Sequence, residues 1–327
     1  MKAVAHSARD IASLVDIELP KPTPGPRDLL VKVEAVSVNP VDTKQRKTDT
    51  STPRVLGWDA AGTVAAVGAQ VTLFKPGDAV YYAGDVTRPG CNSEFHLVDE
   101  RIVGRKPKSL DFAHAAAIPL TAITAWESYF DRLKVVRGKS LLVINGAGGV
   151  GSIGIQIARH VGLRVIASAS RPETIAWVKE LGADHVVDHR KPLRPQVEAL
   201  GLKHVDYIAN FSGELDAHWP AMADLVAPQG AVLAIVGNRD PLAMDVVRSK
   251  SATVCWELMF TRPRFQTPDM IEQHKLLSQV AEWLDGGKLR STLRETLSPI
   301  NAANLRRAHE KIESGRMIGK LVLQAWA

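Results

Sequence analysis

The run LLVINGAGGVGSIGIQIA, residues 141–158, constrains the fold of this chain more than any other stretch. An unbroken apolar segment precedes Gly146, Gly148 and Gly151, and an apolar-periodic segment follows them directly. The first part predicts a strand buried on both faces and the last part a helix, with the glycines between. In that context G-x-G-x-x-G has a mechanical meaning. Gly146 permits the tight turn, Gly148 lets the backbone approach a phosphate, and Gly151 lets helix and strand pack closely. With Gly149 and Val150, they put unpaired N–H groups at the positive end of a helix, where a pyrophosphate binds. The stretch predicts a dinucleotide site.

The surroundings agree with a doubly wound unit. LTAITAWESYFDRLKV (120–135) predicts a helix, and strands then alternate with helices. The expected strands are SLLVING (140–146), RVIASAS (164–170), HVVDH (185–189), VDYIANFSG (205–213), GAVLAIVGN (230–238) and a last edge strand in ATVCWELM (252–259). Apolar strands separated by helices suit a parallel sheet covered on both faces. The first 125 or so residues read differently. LLVKVEAVSV (29–38), AGTVAAVG (61–68), DAVYYAG (78–84) and SEFHLVDE (93–100) are short strands divided by Pro- and Gly-rich turns. Such a series predicts a curled, barrel-like β unit. The chain closes with helices over 269–287 and 301–315 and a strand over 320–326.

Composition excludes several classes. A length of 327 residues allows two domains, and 45% hydrophobic with 23% charged residues is ordinary for a globular protein. No apolar run reaches the ~18–20 residues of a membrane span. MKAVAHSARD lacks the apolar centre of a secretory signal. Cys91 and Cys255 match neither disulfide nor zinc spacing. These features predict a cytoplasmic protein with no membrane partner. The net charge of +6 is scattered among acids, so no nucleic-acid partner is expected.

The second strand of a dinucleotide fold selects the cofactor. A carboxylate at its end accepts from the ribose of NAD, but here the strand ends ASASRPE. Ser168, Ser170 and Arg171 suit a 2′-phosphate, which a carboxylate would repel. NADP(H) is therefore expected, with His189 and Arg190 at the end of the third strand as further candidates for the pocket.

Together with VLGWDAAGTV (55–64), NPVDTKQR (39–46) and GKLVL (319–323), these features resemble the medium-chain dehydrogenase/reductase superfamily, in its quinone oxidoreductase-like branch. The resemblance implies a GroES-like β-barrel catalytic domain over residues 1–123 and 263–327, and a Rossmann domain over 124–262. VLGWDAAGTV lies where the superfamily carries G-[HY]-E-x-x-G-x-V. Asn39 falls where a zinc-binding Cys is expected, Trp58 replaces the zinc-binding His, and Asp59 replaces the Glu. An amide and an indole are no zinc ligands, and the structural-zinc lobe with four cysteines is missing, so no metal is expected. The spaced pair His185 and His189 suits a nucleotide pocket or a plain surface better than a metal. Trp58 would fill the vacated space, and Asp59 would hydrogen-bond locally or pair with a base.

The same resemblance implies further roles. Asn39 and Asp42 would face the nicotinamide or the substrate, and Thr124 would sit against the nicotinamide ring. Asn210, Ser212, Val236 and Asn238, at the ends of the fourth and fifth strands, would lie along the cofactor, with Lys320 near it. A homodimer through the edge strands of the Rossmann sheet is also implied. Tyr81 and Tyr82 are potential proton donors, although a half-buried strand explains them as well.

Without a metal to polarise a carbonyl, hydride addition to a simple ketone leaves an alkoxide with little to stabilise it. A quinone or an α,β-unsaturated carbonyl spreads that charge over a conjugated system. The expected activity is therefore NADPH-dependent reduction of quinones or enones. Two alternatives stay open at this stage: a zinc-type alcohol or aldehyde dehydrogenase, and a non-catalytic NADPH-binding sensor.

Overall fold

The computed structural model describes residues 1–48, 50 and 52–326. It divides into two units, residues 1–123 with 260–327, and residues 124–259.

The first unit is built around the strand Asp28–Ser37. One edge of this strand pairs antiparallel with Ala60–Val67. The other edge is shared: Phe95–Asp99 takes its first half and the C-terminal strand Lys320–Gln324 its second. Residues near the end of the chain thus become structural members of the N-terminal sheet. Ala79–Tyr82 and Val103–Arg105 extend the sheet beyond Ala60–Val67, and Leu293–Leu297 lies outside Lys320–Gln324. A smaller antiparallel sheet joins Val15–Glu18, Lys2–His6 and Arg54–Val55. Alternation in AVYY is replaced by burial on both faces. Tyr81 and Tyr82 are fully enclosed, so neither is the half-exposed side chain that the strand pattern suggests.

The second unit is a six-stranded sheet, parallel throughout. Its order is His185–Val187, Arg164–Ser168, Ser140–Ile144, Val205–Asn210, Val226–Ala234, Thr253–Trp256. The chain starts in the middle at Ser140–Ile144, winds to one edge, then returns and winds to the other. The reversal between Ser140–Ile144 and Val205–Asn210 is the switch point at which such sheets bind ligands. A continuous core from Leu142 and Ile166 to Trp219, Met222 and Val232 lies on one face of this sheet.

Several elements differ from the sequence-based expectation. The helix over 120–135 is α-helical only over Pro119–Trp126; Glu127–Arg132 is a π-helical turn, with Leu133 N–H donating to Ser128 O five residues back. The strand over 230–238 runs from Val226 to Ala234, so Val236 and Asn238 lie beyond its end. The edge strand is four residues long, and Trp256 and Leu258 near its end are about half exposed. Among the described residues no helix is long and apolar enough to cross a membrane.

The helix Ala302–Glu313 buries His309 completely against a region that includes His6 and Arg46. Neither ring nitrogen of His309 finds a hydrogen-bond partner among the described residues. Burial, helped by the Arg46 charge, pushes its pKa down to about 4 from 6.5. Between those two values the unfolded chain binds a proton that the folded chain does not, so stability rises with pH across that window and is lost as pH falls. At 1.36 kcal/mol per pKa unit the contribution of this group is of the order of 3 kcal/mol. In His309→Leu, urea midpoints measured from about pH 4 to about pH 7 should lose much of the wild-type slope. An unchanged slope would show that His309 is not one of the groups responsible.

Candidate active site

The stretch VLGWDAAGTV leads into the strand Ala60–Val67 and carries Asp59 into an interior where its side chain has no exposed surface. Three donors meet this carboxylate. Lys320 Nζ lies 3.1 Å from Oδ2, Asn39 Nδ2 donates to Oδ2 at 3.1 Å, and the Leu120 N–H donates to Oδ1 at 3.0 Å. Burial pushes the Asp59 carboxyl up, while Lys320 foremost, then the Leu120 N–H and Asn39, pull it back. Lys320 reaches this point because its strand pairs with Asp28–Ser37, whose continuation is Val38 and Asn39. Its Nζ also donates to Val38 O at 3.2 Å and to Asn39 Oδ1.

Asn39 follows that strand and caps the start of the helix Pro40–Arg46, a role that proline at the first helical position supports. Its N–H donates to Asp42 Oδ2 at 2.6 Å, as a capping acid does. Asn39, Asp42, Asp59 and Lys320 are therefore one cluster, and each is at most 4% exposed. The fold brings together four residues that the sequence places up to 281 positions apart. It also revises their expected roles. All three donors of Lys320 are engaged within the cluster, so Lys320 offers none to a cofactor. Asn39 and Asp42 present no surface to a ligand in this conformation.

Trp58 is likewise enclosed. Its indole N–H donates to Asp85 O at 3.1 Å, Phe260 meets it edge-on at 6.5 Å, and the Arg54 guanidinium stands 5.4 Å from its ring centre. The indole fills space, but it exposes no face on which a ligand could stack. The potential donors Tyr81 and Tyr82 are also committed: Tyr81 donates to Leu277 O at 2.6 Å, and Tyr82 pairs with His96 Nδ1 at 3.1 Å. His96 Nε2 lies 3.0 Å from Pro89 O, an arrangement that makes Nε2 the donor and leaves Nδ1 to accept from Tyr82.

In the second unit, the helix Gly149–His160 starts at Gly148, where the sheet reverses. Gly148, Gly149 and Val150 are partly exposed, as a phosphate cradle requires. A Cβ on Gly151 would lie 2.3 Å from Asn145 O, and one on Gly148 2.6 Å from Asn145 Nδ2. The loop has room for backbone only, so its residues fit a bound pyrophosphate. Gly146 is enclosed, and its N–H donates to Ser168 O. Asn145 was not singled out in the sequence, yet it holds this turn together. It takes a positive φ of 63°, its N–H donates to Ser168 Oγ at 3.0 Å, and its amide donates to Phe211 O at 3.1 Å. Its signal was local: Asn is the non-glycine residue that best tolerates such a backbone.

Ser168 is buried, with its hydroxyl under the loop, so its part is to support the turn. Arg171 begins the next helix with its guanidinium 3.3 Å from Glu173. Arg190 donates to Ser170 O and to both oxygens of Asp188. Those hydrogen bonds hold Asp188 down to about 2. Two guanidiniums, Ser170 and the exposed His189 thus gather at the ends of adjacent strands. His185 is engaged by Arg164 at 2.9 Å and stands apart from any metal role. Asn210 is buried and accepts from the Ser212 N–H, while the Ser212 hydroxyl bonds Glu214 O. Val236 packs on the core and the Asn238 amide donates to Asp240 O. Thr124 is buried in its helix.

A curled β unit followed by a doubly wound sheet with a glycine loop at its switch point defines a two-domain dehydrogenase or reductase. Comparison with known proteins makes this specific. Residues 25–108 match the family model of the alcohol dehydrogenase GroES-like domain, and residues 181–323 match that of zinc-binding dehydrogenases. A zinc-type alcohol dehydrogenase-like protein of Staphylococcus aureus is 44% identical over 310 residues, covering 93% of this chain and 92% of the relative. An NADPH-dependent alkenal/one oxidoreductase of Arabidopsis thaliana is 36% identical, over 70% of this chain and 60% of its own length. A crystal structure from Rhizobium etli, described as a zinc-dependent alcohol dehydrogenase protein, superimposes with a TM-score of 0.96 at 54% identity, covering 100% of this chain and 98% of that one. The chain belongs to the medium-chain dehydrogenase/reductase superfamily.

That family often uses zinc, so the donor set matters. At the motif positions stand an amide already bonded to Lys320 and an indole already bonded to Asp85, and the one carboxylate there holds an ammonium. Among the described residues no group of three His, Cys, Asp or Glu side chains converges. Zinc wants three or four N, S or O ligands, and a cationic ammonium at the site opposes it. The residues do not fit the metal. Metal analysis of protein purified without chelator should find well under one zinc per chain; a stoichiometric zinc would overturn the assignment.

Proposed function

We propose that this protein is an NADPH-dependent reductase of quinones or α,β-unsaturated carbonyls that works without zinc. The observation that carries the proposal is the ammonium of Lys320 on the buried carboxylate of Asp59. With no metal fitted there to draw charge from a carbonyl, the acceptor itself must spread the charge. Conjugated acceptors do this, and saturated ketones do not.

When bound, the nicotinamide cofactor supplies the hydride. The chain's own residues bind and orient it. The N–H groups at the start of Gly149–His160, together with the helix dipole, hold its pyrophosphate. Arg171, Arg190, Ser170 and His189 gather where the second and third strands end, and two guanidiniums there favour a 2′-phosphate. The similarity to an NADPH-dependent alkenal/one oxidoreductase supports both the cofactor and the acceptor class. The buried tyrosines are committed to Leu277 and His96, so the proton that completes the reduction comes from water or another weak acid.

The chain is proposed to act as a homodimer. Thr253–Trp256 is the outermost strand of its sheet, with Trp256 at its end and Leu258 just beyond it exposed. An apolar edge of that kind is protected when a second copy continues the sheet.

NADPH oxidation should be rapid with quinones or enals and nearly absent with saturated aldehydes and ketones. Arg171→Ala should weaken NADPH binding about ten- to a hundredfold, as expected for a lost charge-assisted hydrogen bond, and should leave NADH binding unchanged. Equal reduction of saturated ketones would sink the acceptor class. Equal or tighter binding of NADH by the unmutated protein would sink the cofactor. Light scattering at micromolar concentration should give twice the chain mass, and a monomer there would refute the dimer.

A further inference from the structure

Asp42 is the member of the buried cluster whose chemistry is left over. Its Oδ2 accepts from the Asn39 N–H, the Trp58 backbone also acts on the carboxylate as a donor, and Oδ1 is enclosed with no donor in normal hydrogen-bond geometry among the described residues. The charged and titratable groups that face it are few. Lys320 and Asp59 lie across Asn39 from it, and the buried Cys91 thiol lies within electrostatic reach. Burial pushes that thiol up, so it stays protonated and neutral. Arg46, one turn along the same helix, is directed away, to Arg9 O and to Glu313.

Charge balance then decides the state of the cluster. One ammonium, Lys320, neutralises one carboxylate, and the geometry gives it to Asp59 at 3.1 Å. A second carboxylate in the same dry interior would be an anion with backbone donors but no cation of its own. Such a group takes up a proton instead. We propose that Asp42 is a positioning residue for the reduction: as the neutral acid it keeps the Asn39–Asp59–Lys320 cluster balanced, and its ionisation switches turnover off.

The inference rests on the proposed reductase activity for its kinetic consequence, though not for its structural one. Ionisation breaks the Asp42 O–H bond, leaves the electron pair on the carboxylate and releases the proton to solvent. The cluster then carries a net negative charge that competes with Asp59 for Lys320 and, through the Asn39 N–H, for the cap of Pro40–Arg46. Hydride delivery also builds negative charge on the oxygen of the acceptor, and a further buried anion in the protein opposes that build-up. The neutral form is therefore the active one. Burial foremost, with the Asp59 charge adding to it, raises Asp42 to about 7, against the Asn39 hydrogen bond, the Lys320 charge and the Trp58 backbone hydrogen bond. The switch thus lies close to neutral pH.

The test compares kcat for NADPH-dependent quinone reduction across about pH 6 to about 9 in the wild type and in Asp42→Asn. The wild type should lose roughly tenfold per pH unit above the ionisation, and Asp42→Asn, whatever its absolute rate, should lack that falling limb. The same limb in both proteins, or a flat wild-type profile, overturns the proposal. Infrared difference spectra give a readout that needs no activity. A protonated-carboxyl band present at about pH 6 should disappear on raising the pH and be missing from Asp42→Asn; a band retained in the variant overturns the proposal. If Asp42→Asn does not fold, wild-type protein carrying 13C-aspartate is titrated instead. A neutral aspartate must then persist above about pH 5, and its absence overturns the proposal. If no acceptor is reduced at all, the reductase assignment fails while the infrared result still decides the state of Asp42.

Discussion

An ammonium and a carboxylate, Lys320 and Asp59, meet at 3.1 Å where both are buried. Taking two charges out of solvent costs several kcal/mol per ion, and the attraction offsets this only when the remaining donors and acceptors are also satisfied. Here they are: Leu120 and Asn39 complete the carboxylate, and Val38 and Asn39 complete the ammonium. The pair is therefore a constraint as much as an attraction. It requires the C-terminal strand to lie beside Asp28–Ser37, the chain to turn into a helix at Asn39, and the start of Pro119–Trp126 to present its Leu120 N–H. One interaction ties four separate stretches of the first unit into register.

That constraint carries the chemical consequence. A family that elsewhere uses a metal has here an internal cation on the acid of its motif. An ammonium cannot exchange ligands or accept an oxygen lone pair as zinc does. On the proposed reading, it leaves the acceptor to stabilise its own charge, which favours conjugated carbonyls. The second unit supplies what the first does not, a backbone cradle at the switch point and two guanidiniums at neighbouring strand ends. The sheet order determines where those groups gather, and the glycine spacing determines how closely a phosphate approaches.

Much of this was legible in the sequence because it depends on short-range geometry. The spacing of Gly146, Gly148 and Gly151 after an apolar strand specifies the turn whatever surrounds it, and the substitutions at Asn39 and Trp58 remove zinc ligands by residue type alone. The partners were not legible. That Lys320 would meet Asp59 depends on a strand pairing across most of the chain, and nothing local to GKLVL shows it. Whether Trp58 lines a pocket or fills one depends on Phe260 and Asp85, which the motif does not contain. Asp42 read as a site residue through the family resemblance, whereas its local role is to cap the helix that Asn39 begins. The π-helical turn at Glu127–Arg132 was hidden for a related reason: apolar spacing marks a helix but does not report the hydrogen-bond step within it.

The central claim is that the Lys320–Asp59 pair organises the first unit, and a double-mutant cycle on stability tests it most directly. Asp59→Asn and Lys320→Met each leave one buried partner uncompensated, which for such pairs costs about 3–5 kcal/mol. The double variant leaves no bare charge, so its loss should fall short of the sum by more than 1 kcal/mol or so. Unfolding by urea, followed at a pH where both groups are charged, supplies the four free energies. A clear shortfall supports the account; simple additivity, with both single variants costing little, would contradict it.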